Sequence, residues 1–247
     1  MLHGLPTSSY LWRNVQRQLE RAGRPTIAFD LLGTGRSRRG ARGRTRFMSQ
    51  AKALLEALDV LGVDRFALAA HDVGGGVAHH MLMLEPERAV ARVFMNAVGL
   101  ASSWPVPLVS LMRRPMWGEA MSAAPSGPLL VRELRRGVHH PERITGEVAR
   151  AYTAPWRGWS ARLDLLDFVK GFEPGATEFA MREHARHAMP TLFLWGIEDV
   201  FQPLPVGKQM AALFGEIPVE IAQAGHFLQE DQPRRIGNEL ESFLGGV

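Results

Sequence analysis

The sequence predicts an α/β protein whose mostly parallel sheet carries helices on both faces and whose middle portion is a helical insertion. Three observations predict it. Short apolar runs that stop at polar residues alternate with stretches of helical periodicity, the pattern of a parallel sheet with covering helices. One run, Phe66 to Ala70, passes into a helical pattern within a few residues through Ala70-His71-Asp72-Val73-Gly74-Gly75-Gly76. Between Gly99 and His187 no clear strand pattern occurs, which is too long for a loop in a compact domain.

Taken in order, Leu2-His3-Gly4-Leu5-Pro6 begins abruptly, and Ser9 offers an N-cap for a helix with Leu11, Val15 and Leu19 on one face. Thr26 to Phe29 reads as a short strand ending in the turn-rich Asp30-Leu31-Leu32-Gly33-Thr34-Gly35-Arg36-Ser37. A helix follows from about Met48 to Leu61, with Ala51, Leu54, Leu55, Leu58 and Leu61 on its apolar face. Phe66 to Ala70 is a buried strand, the next helix carries Val77, Met81 and Leu84, and Val90 to Met95 is a strand. The segment 99–187 holds helical pieces, many prolines and four of the six tryptophans: Trp104, Trp117, Trp156 and Trp159. It reads as an inserted cap, with 1–98 and 188–247 forming the core. The alternation resumes with strand Thr191 to Trp195, a helix near Leu204 to Phe214, strand Val219 to Ala222 and a helix from Pro233 to Leu244.

Composition narrows the function. A chain of 247 residues, 46% hydrophobic and 22% charged, suits one globular α/β domain with an insertion. No run of about 18 uninterrupted apolar residues occurs, and no basic-then-apolar leader opens the chain. The expectation is a cytoplasmic protein without a membrane partner. The absence of cysteine excludes disulfides, thiolate metal sites and cysteine nucleophiles. The net charge of +4 comes with an arginine excess, lysine occurring only at 52, 170 and 208. Six arginines crowd between Arg36 and Arg46. No aromatic residues are interleaved there for base stacking, so a solvated loop is expected and no nucleic-acid partner. His79, His80, His139, His140, His184 and His187 fall in helical or insertion segments without the H-E-x-x-H spacing, so no metal site is expected.

The chemistry concentrates at strand ends, where ligands bind in open α/β sheets. The turn after Phe66 to Ala70 matches the nucleophile elbow G-x-S-x-G, with Ala70 in the first glycine position and Asp72 in the serine position. A phosphate-cradling reading fits less well, because no Gly-Lys-Ser/Thr follows and an aspartate at the head of the turn repels a phosphate. Asp199 follows the strand Thr191 to Trp195, and His226 follows the last strand. Nucleophile, acid, histidine is the chain order of the α/β-hydrolase triad. Glu198 competes with Asp199 for the acid position. His71 is expected to pack behind the elbow, and His3 to support the loop opposite it.

Four segments carry a resemblance to a known family: His3 to Arg13, the Asp30 to Ser37 turn, His71 to Gly75, and Gly225-His226-Phe227-Leu228-Gln229-Glu230-Asp231. They resemble the haloalkane dehalogenases and, more broadly, the epoxide hydrolases and haloacetate dehalogenases. Ala151-Tyr152-Thr153-Ala154-Pro155-Trp156 resembles a dehalogenase cap motif. The resemblance implies an α/β-hydrolase fold with Asp72 as nucleophile, His226 as base, Asp199 as its orienter, and the backbone N–H groups of Leu5 and Val73 as the oxyanion hole. It implies a small apolar electrophile and water as reactants, and no cofactor. A carboxylate displaces halide or opens an epoxide at carbon, whereas a serine esterase needs a hydroxyl at 72.

Two departures matter. Those dehalogenases commonly hold the leaving halide with an indole N–H after the nucleophile and an Asn in the oxyanion loop, where this chain has Val73 and Leu5, neither with a side-chain donor. Trp104, Trp156 and Trp159 are candidate substitutes. An epoxide hydrolase wants cap tyrosines, and the insertion holds one, Tyr152. Dehalogenase chemistry leads, epoxide hydrolysis is second, and a non-catalytic binding protein is the alternative of another class. The resemblance also implies strands upstream of His3, one of them lying between the Thr26 to Phe29 strand and the elbow strand. Only Met1 and Leu2 stand there, so the expectation is either a shortened reading of a longer protein or direct pairing of the two flanking strands.

Overall fold

The computed structural model describes residues 1–37, 45–103, 107–123 and 127–246. Four strands form one parallel sheet in the order β1 (Phe66–His71), β2 (Ala89–Met95), β3 (Thr191–Gly196) and β4 (Val219–Ile221). Side chains alternate across it as strand geometry requires. Leu68, Ala70, Phe94, Phe193 and Trp195 enter one apolar cluster, while Ala69, Val93, Met95 and Leu194 enter the other.

Each cluster is closed by helices. On the first face, α2 (Phe47–Val60) packs on α3 (Val73–Leu84). On the second, α1 (Arg13–Arg21) packs against the C-terminal helix. Leu11, Val15 and Leu19 are fully buried there, as the helical spacing of the first segment required, and Trp12 is buried with them. The cap is Ser8 rather than Ser9: its hydroxyl accepts the Tyr10 N–H at 3.4 Å, and a 3-10 turn over Ser9–Trp12 precedes α1.

Between β2 and β3 lie α4 (Pro107–Arg113), α5 (Trp117–Ala123), α6 (Gly127–Arg136), α7 (Gly146–Thr153), α8 (Trp159–Lys170) and α9 (Pro174–Ala185). Helices α4, α5 and α8 pack on one another, as do α6 and α7. Helix α9 differs from the rest of the expected cap, because it packs on α3, buries Ala180 and places Met181 in the first cluster. After β3 come α10 (Leu204–Ala212), β4, the single turn α11 (Leu228–Asp231) and α12 (Pro233–Gly245). Among the described residues no helix is long and apolar enough to cross a membrane.

Thr26 to Phe29 is not a strand: only Phe29 makes a bridge, and it does so to Leu2. A strand exists by its ladder, and among the described residues the only partners on that side are the first two residues. The Met1 amino group donates to Ile27 O at 2.7 Å and Phe29 N–H to Met1 O at 3.2 Å. On its other side Leu2 exchanges both bonds with β1, N–H to Ala69 O at 2.8 Å and O from His71 N–H at 3.0 Å. Direct pairing of the flanking segments is therefore not observed. Leu2 stands between them, and behind it opens a cavity of about 480 Å³ bordered by Met1, Ile27, Phe29, Phe66, Leu68 and Val93.

Candidate active site

The turn between β1 and α3 holds Asp72 at φ 49°, ψ −124°, a conformation costing an L-residue about 1–3 kcal/mol. Its neighbours are small because the turn crowds against the N-terminal loop. A Cβ on Gly74 would meet His3 O at 2.5 Å, and one on Gly4 would meet the Asp72 Cβ at 2.3 Å. Only glycine permits that approach, and it lets the Leu5 N–H donate to Asp72 Oδ2 at 2.9 Å.

His3 holds this loop from behind. Leu31 N–H donates to its Nε2 at 3.1 Å, so the proton sits on Nδ1, which donates to Gly4 O at 2.8 Å. Burial lowers the His3 pKa and keeps this neutral tautomer. Asp30 secures the adjoining segment by accepting Ser9 N–H at 2.7 Å and Arg36 N–H at 2.8 Å. The Asp30 to Ser37 turn thus holds the loop in place. The rest of the arginine run, 38–44, lies outside the described residues.

The strand ends bring the sequence-predicted trio together. His226 Nε2 lies 3.7 Å from Asp72 Oδ1, and His226 Nδ1 bonds Asp199 Oδ2 at 2.8 Å. All three are buried. Asp199 Oδ1 accepts the N–H groups of Phe201 and Gln202 at 2.7 and 2.9 Å. Glu198 instead faces outward and pairs with His139. His71 Nε2 bonds the His226 carbonyl at 2.8 Å, fixing the imidazole-bearing loop on the elbow strand.

Burial alone would lower the His226 pKa, but the charge and hydrogen bond of Asp199, with Asp72 adding, raise it above the ordinary 6.5. For Asp72 burial dominates and raises the carboxyl above 3.8, against the opposing pull of His226 and the Leu5 and Val73 amides. The pair therefore favours a proton being held in the site more strongly than either group would in water.

Two supports were missed from sequence. Asn96, at φ 42° just past β2, donates to Asp199 Oδ2 and accepts Gly196 N–H at 3.0 Å. Its place at a strand end was the available signal. The second is a buried chain behind the elbow. Arg92 donates to His184 Nδ1 at 3.0 Å, leaving His184 Nε2–H to donate to His79 Nδ1 at 2.8 Å and His79 Nε2–H to Val98 O at 3.1 Å. Val98 N–H in turn bonds Asp72 O at 3.1 Å. Burial, chiefly, pushes the His79 pKa down to about 3, so this chain is neutral at its histidines. No sequence spacing links these residues.

A cavity of about 180 Å³ opens above Asp72 and His226. Leu5, Val98, Leu108, Met112, Leu165 and Phe172 form an apolar wall, so the insertion roofs the site. Of the aromatic candidates, Tyr152, Trp156 and Trp159 do not line it. Tyr152 is buried, its hydroxyl donating to Glu230, which also forms a two-pronged pair with Arg13 at 2.6 and 2.8 Å. Trp156 is buried with its indole N–H on Pro6 O at 3.3 Å. Trp159 is 51% exposed on the surface of α8. Each indole or hydroxyl is thus engaged or turned away from the cavity. Trp104 lies outside the described residues. The conspicuous Glu230-Asp231 pair is structural: Asp231 accepts the N–H groups of Gly225, His139 and His140, tying the histidine loop to the insertion.

A parallel sheet with a strained acidic elbow and a buried His–Asp pair at successive strand ends defines a hydrolase of the α/β type. The chain belongs to the α/β hydrolase fold family, whose model matches residues 1–233. It is 28% identical to haloalkane dehalogenase 2 of Mycobacterium tuberculosis over 258 aligned positions, covering 99% of this chain and 87% of that protein. It is 27% identical to the haloalkane dehalogenase of Mesorhizobium japonicum, covering 100% of this chain and 84% of the relative. Among solved structures, haloalkane dehalogenase DbeA from Bradyrhizobium elkani superposes with a TM-score of 0.83 at 26% identity, over 99% of this chain and 88% of that one.

Proposed function

We propose that this hydrolase cleaves carbon–halogen bonds in small, largely apolar substrates through an ester on Asp72, with residues 99–187 contributing the roof of the site. The observation that carries the reading is the asymmetry of the Asp72 carboxylate. Oδ2 is held by the Leu5 N–H, and Oδ1 is the oxygen that faces His226 Nε2, 3.7 Å away.

In the first step Oδ1 attacks the halogen-bearing carbon. The O–C bond forms as the carbon–halogen bond breaks, and the halide leaves with the bonding pair. In the second, His226 Nε2 takes a proton from a water whose oxygen attacks Cγ of Asp72. Oδ2 becomes the oxyanion, already bonded by the Leu5 N–H, with the Val73 amide also bonding this carboxyl group. Collapse expels the alcohol oxygen, which receives the proton from His226, and Asp72, left as a carboxylic acid with one oxygen from water, releases its remaining proton to solvent and returns as a carboxylate. Asp199 keeps the imidazole in the tautomer that presents Nε2. Epoxide opening is disfavoured because Tyr152 is committed to Glu230.

Intact-mass measurement after incubation with 1-bromobutane tests this. His226→Gln is expected to accumulate an adduct of one butyl group, and Asp72→Asn none. Absence of adduct on His226→Gln with a substrate that the wild type turns over rejects the two-step scheme.

A further inference from the structure

Arg92, on β2, is a buried cation that no carboxylate bonds among the described residues. Its Nε–H donates to Thr191 Oγ1 at 2.7 Å. One terminal nitrogen donates to His184 O at 2.7 Å and to His184 Nδ1 at 3.0 Å, and the other to His187 O at 3.2 Å. Burial lowers its pKa only to about 10, so the guanidinium is charged at neutral pH. Burying a charge without a counter-ion is costly, and packing alone does not require it here.

What the guanidinium supplies is a direction. It can only donate, whereas a neutral imidazole has one N–H and one acceptor nitrogen. His184 Nδ1 is therefore the acceptor, which puts the proton on Nε2, facing His79 Nδ1 at 2.8 Å. His79 Nδ1 accepts in turn, and its Nε2–H meets Val98 O at 3.1 Å. With the His184 proton on Nδ1 instead, the bond between the rings would need a proton on His79 Nδ1. A bare His79 Nε2 would then face the Val98 oxygen, acceptor against acceptor. One obligate donor thus orders both rings.

The chain ends at the nucleophile. Val98 N–H bonds Asp72 O at 3.1 Å and Asp72 N–H bonds Met95 O at 3.4 Å, so the loop leaving β2 holds the Asp72 backbone at its positive φ. Val98 also lines the cavity together with Asp72 and Val73. We infer that Arg92 is a positioning residue, which sets the tautomers of His184 and His79 and so keeps a donor on Val98, whose amide holds Asp72 in place for attack. The kinetic consequence rests on the proposed function; the tautomers and the Val98 bond do not.

The test reads 15N shifts of the histidine rings, hydrogen exchange of the Val98 amide, and turnover of 1-bromobutane. In the wild type His79 and His184 are both expected as the Nε2–H tautomer. Arg92→Met should mix the tautomers, speed Val98 exchange about tenfold, and lower kcat about tenfold with KM within about twofold. Arg92→Lys, which keeps a cationic donor, should recover most of all three. The wild-type spectrum needs no variant, so it decides even if Arg92→Met does not fold. Spectrum and exchange need no substrate, so failure of the dehalogenation reading leaves both standing. An Nδ1–H tautomer on either ring in the wild type overturns the inference. So do unchanged tautomers in Arg92→Met, or mixed tautomers with Val98 exchange and kcat both unmoved.

Discussion

His226 Nε2 stands 3.7 Å from Oδ1 of Asp72, while the other oxygen of that carboxylate is tied at 2.9 Å to the Leu5 amide. One oxygen is thus held in an anion-stabilising cradle before any reaction begins. The other shares the open cavity with His226.

That division predicts where the product oxygen comes from. In a single turnover in 18O-labelled water with enzyme in excess, the label should enter Asp72, and the alcohol should carry unlabelled oxygen. Mass spectrometry of the peptide spanning Asp72 reads it. Label in the alcohol after one turnover would mean that water attacks the substrate carbon directly.

The two pKa shifts predict different acid limits for the two steps. In the proposed scheme alkylation needs ionised Asp72, whose pKa is raised from 3.8, whereas ester hydrolysis needs neutral His226, whose pKa is raised above 6.5. As pH falls through the His226 pKa, hydrolysis fails first and the alkyl-enzyme accumulates. Both groups hold their protons more tightly when folded, so their contribution to stability is largest at low pH and is lost as pH rises through each folded pKa. Quenched-flow mass measurements between pH 5 and 9 (roughly bracketing the imidazole range) should show that accumulation. Equal limits for both steps would contradict separate roles.

Tyr152 is a strut, and its removal should show that. Burial, with the neighbouring charge of Glu230, raises its pKa well above the ordinary 10 and keeps the hydroxyl protonated as a donor. Tyr152→Phe is expected to lower stability by about 1–2 kcal/mol while leaving kcat within about threefold. Arg13→Leu, which leaves Glu230 as an uncompensated buried charge, should cost about 3–5 kcal/mol. Denaturant melts and initial rates separate the two readouts. A loss of about a hundredfold in kcat for Tyr152→Phe with stability intact would instead mark it as a proton donor.

Neither Val73 nor Leu5 has a side-chain donor, and the indoles of Trp156 and Trp195 are engaged elsewhere. Rates should therefore rise steeply from chloro to bromo to iodo substrates, since the leaving halide receives little help. Burst kinetics on 1-halobutanes isolates the alkylation step. Equal alkylation rates for chloride and iodide would show a halide donor at work.

The sequence by itself determined the parts of this protein that depend on local pattern. The glycine-rich run after Phe66 to Ala70 dictates a strand, a tight turn and a helix, because only small residues survive the crowding at Gly4 and Gly74. The order Asp72, Asp199, His226 follows from each lying just past an apolar run, which places all three at one edge of a parallel sheet. Tertiary structure decided what depends on partners distant in the chain. It separated Asp199 from Glu198 by burying one against His226 and turning the other to His139. It moved Tyr152, Trp156 and Trp159 off the cavity, since helical spacing shows which face is apolar but not what that face meets. It reduced Thr26 to Phe29 to a single bridge, because a strand is completed only by its neighbour. It also gave Asn96 and Gln202 their places, which no spacing announces: both are defined by hydrogen bonds to Asp199 made only when strand ends converge.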